Sequence, residues 1–471
     1  MRERLSHRQS REPRSAACRR ALVGWPVVKI LHVAPVFFPE GPGGIQAHVR
    51  DVARAQLAAG HEVAILAGSL EGRPEPLVEE QEAVGLRVLR LYRDDLHHVH
   101  HARGHHLEAS RLIAQTFDAE RPDLVHVHSW IALSTDLVAT AERLGIPAVV
   151  TLHDFLVTCP RAYRQDSAGA ACLRRMGFES CGPCAPRFGF EDDALVEESI
   201  ELFGQSLRSE LERARALVTL LPGIAKSLVE LGGLGDLELE AIPLGYVPHP
   251  DVPRAPARAG GPVRFATWGR LGAHKGTDLA VRAFSEACEA LPAEAAELHL
   301  FGELLPDSYR RSVLQAAAGA TVIEHGAFEF ADLATAGLDV ALFPSRCLET
   351  FGFVIDEARE LGLPMVLTDL GAYGERAAGD SLVVPDGDQQ GWARAMGRLA
   401  ADPELRARLA AAAPPPSPTP EIYARRLAEV YERARAAPPH EPQTPAPNPD
   451  RWIRLRQRYD AGLNPAGDAA R

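Results

Sequence analysis

The stretch Asp339–Ala358, DVALFPSRCLETFGFVIDEA, constrains the chain more than any other. Val340 to Phe343 is an apolar run of strand length, and Pro344 and Ser345 stop it. A helix is predicted from near Phe351, because Val354, Ile355, Ala358 and Leu361 recur at helical spacing. Gly362-Leu363-Pro364 ends it. The free first-turn amides and positive dipole end of such a helix face the C-terminal edge of a strand, a setting that suits phosphate. Glu349 lies before the helix and Glu357 within it, with seven residues between them. At about 1.5 Å of rise per residue the two carboxylates can spread over roughly 10 Å. That span suits two hydroxyl-bearing parts of one elongated ligand with the phosphate between them. It does not suit a close carboxylate pair acting on one atom. Taken alone, the stretch reads equally as an ordinary strand–loop–helix unit with two solvated glutamates.

The same unit recurs along the chain. Val27–Val33 reads as a buried parallel strand, followed by the loop Pro35–Gly44, a helix from about Ile45 to Ala59, and a strand at Glu62–Leu66. Gly43-Gly44 lets the backbone of that loop approach a ligand, but the G-x-G-x-x-G dinucleotide spacing is absent. Strands are also expected at Leu124–His128 and at Pro147–Leu152. The second ends in His153-Asp154, at the strand edge where α/β folds bind ligands. After a proline-rich linker, Val263–Trp268 opens a second α/β half. Arg270 and Lys275 lie on its first loop among Gly269, Gly272 and Gly276, as two cations fit for a diphosphate. Asp386-Gly387-Asp388 is expected as a turn.

The domain reading is a basic disordered arm at 1–26 and a Rossmann-like domain at 27–247, with a cysteine-bearing insertion at about 155–190. A linker at 248–262, a second Rossmann-like domain at 263–413 and a helix at 421–436 follow. The tail at 437–471 is expected to be mostly disordered apart from a short helix around Trp452.

Two clusters invite a metal. Six histidines fall between 97 and 106, without a zinc-enzyme spacing. Cys159, Cys172, Cys181 and Cys184 fall within 26 residues and read either as a structural zinc knot or as four separate thiols. Seven cysteines in 471 residues do not make a disulfide scaffold, so a reducing, cytoplasmic setting is expected. A net charge of -12 argues against a nucleic-acid partner. No apolar run reaches the roughly 20 residues that span a bilayer. Seven arginines among residues 1–20 leave peripheral contact with an anionic membrane face open.

Gly43-Gly44, Thr151-Leu152-His153-Asp154, Gly269-Arg270 with Lys275-Gly276, Pro344-Ser345, the Glu349/Glu357 pair and Gly371 with Glu375 occur in one order. In that order the chain resembles the group 1, family 4-like retaining glycosyltransferases of the GT-B fold, over roughly residues 27–436. The resemblance implies two Rossmann-like domains facing across a cleft. It also implies transfer of a sugar from a nucleotide-sugar donor to a glycan, lipid or small-molecule acceptor, with no metal needed for the chemistry. Arg270 and Lys275 would hold the donor diphosphate, Glu349 would contact the donor sugar, and Glu357 would accept from the ribose hydroxyls. The amides of Phe351 and Gly352 would meet sugar or phosphate. Gly43-Gly44 would approach from the other domain, and His153 would touch the transferred sugar. Leu221 and Leu244 stand where the family often has Ser or Asn, and the proline run before the last helix leaves open whether that helix returns to the first domain. A sugar-nucleotide epimerase and a nucleotide-sugar-binding module without turnover share the architecture and remain alternatives.

Overall fold

Each half of the chain builds one twisted, largely parallel sheet in which the strand order reverses once, and the reversal fixes where a ligand can sit. The computed structural model describes residues 26–41, 43–95, 100–256, 258 and 260–463. The expected arm at 1–26 lies outside these apart from Pro26.

The first domain runs β1 (Lys29–Val36), α1 (Gly44–Ala58), β2 (Glu62–Gly72), β3 (Leu77–Ala83), β4 (Leu86–Arg93), α2 (Leu107–Glu120), β5 (Leu124–Val127), α3 (Leu137–Arg143) and β6 (Ala148–Thr151). It continues through α4 (Phe178–Cys181), α5 (Asp193–Arg213), β7 (Ala216–Thr219), α6 (Pro222–Gly232) and β8 (Leu239–Ala241). The strand order is β3-β4-β2-β1-β5-β6-β7-β8, so the switch point lies between β1 and β5. The β3–β4 hairpin was not read from the sequence. It turns at Val84 and Gly85, both at positive φ, and its edge strand carries Glu79, Glu80 and Glu82 on a sheet border where charge discourages further pairing.

The second domain runs β9 (Val263–Trp268), α7 (Thr277–Glu289), β10 (Ala296–Phe301), α8 (Asp307–Gln315), β11 (Val322–Gly326), α9 (Phe330–Thr335), β12 (Val340–Phe343) and α10 (Phe353–Glu360). It continues through β13 (Met365–Thr368), α11 (Gly371–Arg376), β14 (Ser381–Val384), α12 (Gln389–Ala401) and α13 (Pro403–Ala411). Its order, β11-β10-β9-β12-β13-β14, reverses between β9 and β12. The loops after these two strands are the ones carrying Arg270, Lys275, Ser345 and Glu349. The apolar strands and their covering helices form a core in each domain, and Leu348, Phe351 and Ala372 of the second domain join the first domain's core.

α14 (Pro420–Ala436) returns to the first domain. Tyr423, Leu427, Val430 and Tyr431 are buried in that domain's core beside Val52 and Ala55 of α1. The proline run does not prevent the return. The helix expected around Trp452 is present and longer than read, and the described part of the tail runs to residue 463. α15 (Pro449–Leu463) buries Trp452, Leu455 and Tyr459 against Leu195 and Leu202 of α5. Those three residues are spaced for one helix face, and that apolar face finds a partner. Among the described residues no helix is long and apolar enough to cross a membrane.

Candidate active site

The loop after β9 and the loop after β12 press together because one residue between them is glycine. Gly276, at φ +70°, turns the chain into α7, and a Cβ there would lie 1.9 Å from the Pro344 carbonyl oxygen. This approach seats Lys275 against Glu349. Lys275 Nζ donates to Glu349 Oε1 at 2.6 Å, and Ser345 Oγ donates to the same oxygen at 2.7 Å. Burial works to raise the Glu349 carboxyl, but the Lys275 charge and both hydrogen bonds outweigh it and hold the pKa below the usual value. Burial likewise works to lower Lys275, and Glu349 reverses this to a net rise. The pair is therefore ionised. Arg270 is exposed on the same loop. Its charge adds to the depression of His274, which burial first and Lys275 second hold at about 4. Of the two expected cations, one is engaged and one is open to solvent.

α10 starts where predicted to within two residues. Gly352, at φ +76°, precedes it, and a Cβ there would meet the Tyr373 ring at 2.3 Å. Phe351 is buried beneath the Arg376 guanidinium, 4.2 Å from its ring centroid. Arg376 Nη1 donates to the carbonyls of Phe351 and Gly352, each at 3.0 Å, and Nη2 pairs with Asp356 at 2.7 Å. Arg376 thus fixes the backbone whose amides were expected to meet the donor. No motif singled it out, although it follows Glu375 directly. Trp268 was also missed: its Nε1 donates to Glu357 Oε2 at 2.6 Å. Burial pushes the Glu357 carboxyl up to about 7, against the pull of that hydrogen bond.

The first domain meets this surface at several points, among them the Tyr163 ring stacked on His274 at 4.9 Å. The Cβ position of Gly44 lies 3.8 Å from the Phe353 ring, so the glycine loop after β1 faces the first residue of α10. Thr350, next to Glu349, donates through Oγ1 to the His153 carbonyl at 2.6 Å. The His153 imidazole is buried, and burial lowers its pKa to about 3, so it is neutral. Asp154 accepts the Leu156 N–H at 2.8 Å, and burial raises its carboxyl to about 6. A third bridge joins the domains where the Gly223 N–H, in the first turn of α6, donates to the Glu375 carboxylate at 3.0 and 3.1 Å. Leu221 and Leu244 are buried in the first core.

The four insertion cysteines are free thiols, with Cys159 and Cys181 buried. They are absent from the sets of three or more ligand atoms lying within 4.8 Å of one another, whereas sulfurs sharing one zinc at about 2.3 Å lie closer than that. Packing and hydrogen bonds brace the insertion. Cys181 packs with Ala185, Val196 and Ile200, and the buried Arg164 donates to the carbonyls of Thr158 at 2.7 Å, Cys172 at 3.1 Å and Arg174. Of the histidine run, His97 and His98 lie outside the described residues. His100 stacks on His101 and Phe188 at 4.3 and 4.6 Å, and His105 lies 5.9 Å from the Trp452 ring. These rings form part of the socket for α15. Asp386-Gly387-Asp388 is a turn whose last residue caps α12.

Comparison with known proteins agrees with this geometry. The family model for Glycosyltransferase Family 4 matches residues 42–181, and that for Glycosyl transferases group 1 matches residues 262–402. The chain is 26% identical over 415 residues to the D-inositol 3-phosphate glycosyltransferase of Kineococcus radiotolerans, covering 81% of this chain and 88% of that protein. It is 27% identical over 411 residues to the glycogen synthase of Mycobacterium tuberculosis, covering 82% and 89%. Among solved structures it is similar to the sucrose-phosphate synthase of Thermosynechococcus elongatus, with a TM-score of 0.60 at 18% identity over 87% of this chain and all of that one. One family model falls on each domain, and the family's glutamate pair stands at the second domain's switch point. The chain therefore belongs to the group 1 glycosyltransferases of the GT-B fold.

Proposed function

We propose that this glycosyltransferase binds a nucleoside-diphosphate sugar between the loop after β9 and the start of α10. It passes the sugar, with retention of configuration, to a hydroxyl of a polar acceptor. The observation that carries the reading is the ionised Lys275–Glu349 pair beside the helix start that Arg376 braces. In this reading Lys275, joined by the exposed Arg270, meets the diphosphate and stabilises the charge that develops as the nucleotide leaves. Glu349, fixed by Ser345 and Lys275, accepts from hydroxyls of the transferred sugar. The amides of Phe351 and Gly352 meet sugar or phosphate, and Glu357, oriented by Trp268, accepts from the ribose. Gly43 and Gly44 close over the diphosphate from the first domain, where a Cβ on Gly43 would lie 2.7 Å from Gln46 Oε1. His153 faces the transferred sugar.

The relatives act on inositol phosphate or a glucan by name, and a solved relative from Burkholderia xenovorans was crystallised with glucose-6-phosphate. These support a polar, hydroxyl-rich acceptor. The test is a panel of nucleotide sugars with nucleotide release as the readout, alongside Glu349→Ala. Release from one donor, lost in the variant, is expected. Interconversion of the sugar itself would identify an epimerase instead. Binding of every donor without release, even with sugar phosphates and glucans present, would point to a module without turnover.

A further inference from the structure

One face of the first sheet carries a polar layer inside an otherwise apolar core. His32 on β1 is the register partner of His126 on β5. Side-chain alternation places His128 on the same face as His126, and Thr151 and His153 share a face at the end of β6. α1 and α14 cover this layer with pairs eight residues apart, His48 with Gln56 and Tyr423 with Tyr431, all buried. The His48 and Tyr423 rings lie 4.6 Å apart.

Within the layer the imidazoles form a single file. Gln56 Oε1 lies 2.7 Å from His32 Nε2, His32 Nδ1 lies 2.9 Å from His128 Nε2, and His128 Nδ1 lies 2.8 Å from His153 Nε2. A neutral imidazole carries one N–H, so each ring must donate from one nitrogen and accept at the other. The starting direction is set by Gln56. Its amide NH2 donates to the Tyr431 hydroxyl at 3.3 Å, which leaves its oxygen for His32. His32 then carries its proton on Nε2 and is bare at Nδ1, so His128 must donate from Nε2. His128 is bare at Nδ1, so His153 must donate from Nε2. Among the described residues, the hydrogen bond of the His153 ring is the one at Nε2, and none is found at Nδ1.

The geometry points to a tautomer relay in which Gln56, acting through His32 and His128, fixes the proton of His153 on Nε2 and presents Nδ1 as an acceptor for a hydroxyl of the transferred sugar. Gln56, His32 and His128 are positioning residues; only His153 meets the ligand, and that half of the inference rests on the site reading above. Burial supports the proton count, since it lowers His32 to about 4 and His153 to about 3, so both rings are neutral at physiological pH. A neutral acceptor at this point selects a sugar that offers an O–H there over one that offers a carboxylate or phosphate oxygen, which has no proton to donate.

The test is nitrogen-15 NMR of imidazole-labelled full-length protein, with His153 assigned through His153→Asn, in the natural chain, Gln56→Leu and Gln56→Glu. The natural chain and Gln56→Glu, which keeps an acceptor for His32, are expected to show His153 protonated on Nε2 alone. Gln56→Leu is expected to show a mixture of tautomers and to lose about tenfold in kcat/KM for the donor, the worth of one hydrogen bond. Gln56→Glu is expected to retain that activity. Thermal melting of the leucine variant controls for packing, since a fall in activity that follows lost fold would affect every signal together. His153 protonated on Nδ1 in the natural chain, meaning a reversed Gln56 amide, would overturn the relay. So would a stoichiometric metal found by elemental analysis together with loss of the imidazole N–H signals. The stated tautomers with unchanged donor kinetics in Gln56→Leu would overturn the sugar contact specifically, and so separate the two halves.

Discussion

Lys275 and Glu349 can be separated as brace and as chemistry by removing them singly and together. The ion pair closes at 2.6 Å, and Glu349 is 8% exposed. Taking away Lys275 leaves a carboxylate buried with the Ser345 hydroxyl and the weakly donating Cys347 thiol as its neutral donors. Breaking one side of a buried pair costs about 3–5 kcal/mol. The Lys275 side chain keeps 32% of its surface, so water enters part of the gap and the lower bound, about 3 kcal/mol, applies. Lys275→Ala should therefore melt earlier than the natural chain. The double variant Lys275→Ala/Glu349→Ala buries no unpaired charge and should recover all but about 1 kcal/mol of that loss. Catalysis should not recover with it. If Lys275 stabilises the charge of the leaving diphosphate, its loss costs about 100- to 1,000-fold in kcat, as removal of a preorganised donor does elsewhere. The assays are denaturant melts and nucleotide release at saturating donor. Activity that returns in the double variant alongside stability would refute the argument, because it would make the pair a structural brace and nothing more.

Glu357 supplies a pH prediction. Its carboxyl sits at about 7 in the fold against an ordinary 4.5, with burial as the chief cause. The folded state therefore holds a proton that the unfolded chain has released between those values. The stability this group contributes is present below about 4.5 and is lost as pH rises through about 7. Donor binding should change in the opposite sense, strengthening from about pH 6 to about pH 8 as the carboxylate that accepts from ribose forms, and Glu357→Gln should flatten both slopes. Calorimetric titration of a nucleoside diphosphate checks the second slope, and equal slopes in both proteins would reject the assignment. In the tail, Trp452→Ala should undock α15 at a cost of about 3–5 kcal/mol, because the ring is buried and its Nε1 donates to Ser206 Oγ at 3.1 Å. Limited proteolysis should then cut between α14 and α15 while donor binding persists.

The sequence exposes the second domain's site more fully than the first's, for physical reasons. Val340–Phe343 is a strand with the bounds read from its apolar run, since a central parallel strand buried on both faces has little else to be. Glu349, Lys275 and Gly276 are close in sequence to the strand ends that place them, so their meeting follows once the sheet order is known. Arg376 and Trp268 were invisible because their partners, the Phe351 carbonyl and Glu357, depend on how α11 and β9 pack against α10. The β3–β4 hairpin was missed because its edge strand is glutamate-rich and looks like a solvated loop. The polar layer was half legible. The alternation in Leu-Val-His-Val-His and Thr-Leu-His places histidines on one face, but nothing local shows that Gln56 and Tyr431, one from each end of the chain, complete it. In the tail the helix around Trp452 was legible but its docking was not, because proline and charge dominate the composition while three residues at helical spacing decide the packing.

The proline run that left the return of the last helix open also bears on how the two domains act as one site. The chain passes between the domains twice, once near Gly245 and once near Pro420. The Tyr246 N–H donates to the Pro418 carbonyl at 2.8 Å, and a Cβ on Gly245 would lie 2.5 Å from Pro420 Cα. The two crossings therefore run side by side, hydrogen-bonded to each other. Pro418 and Pro420 hold the second crossing extended, because proline fixes φ and biases the residue before it away from the helix. A rotation of one domain against the other must turn about this paired segment, since no other backbone joins them. The contacts away from it include the polar bridges Thr350 to His153 and Glu375 to Gly223, the Tyr163–His274 ring stack, and an apolar seam in which Leu348, Phe351 and Ala372 enter the first core. A domain rotation therefore has to part that seam as well as the polar bridges, while the paired crossings stay joined as the hinge about which closure around a ligand would turn.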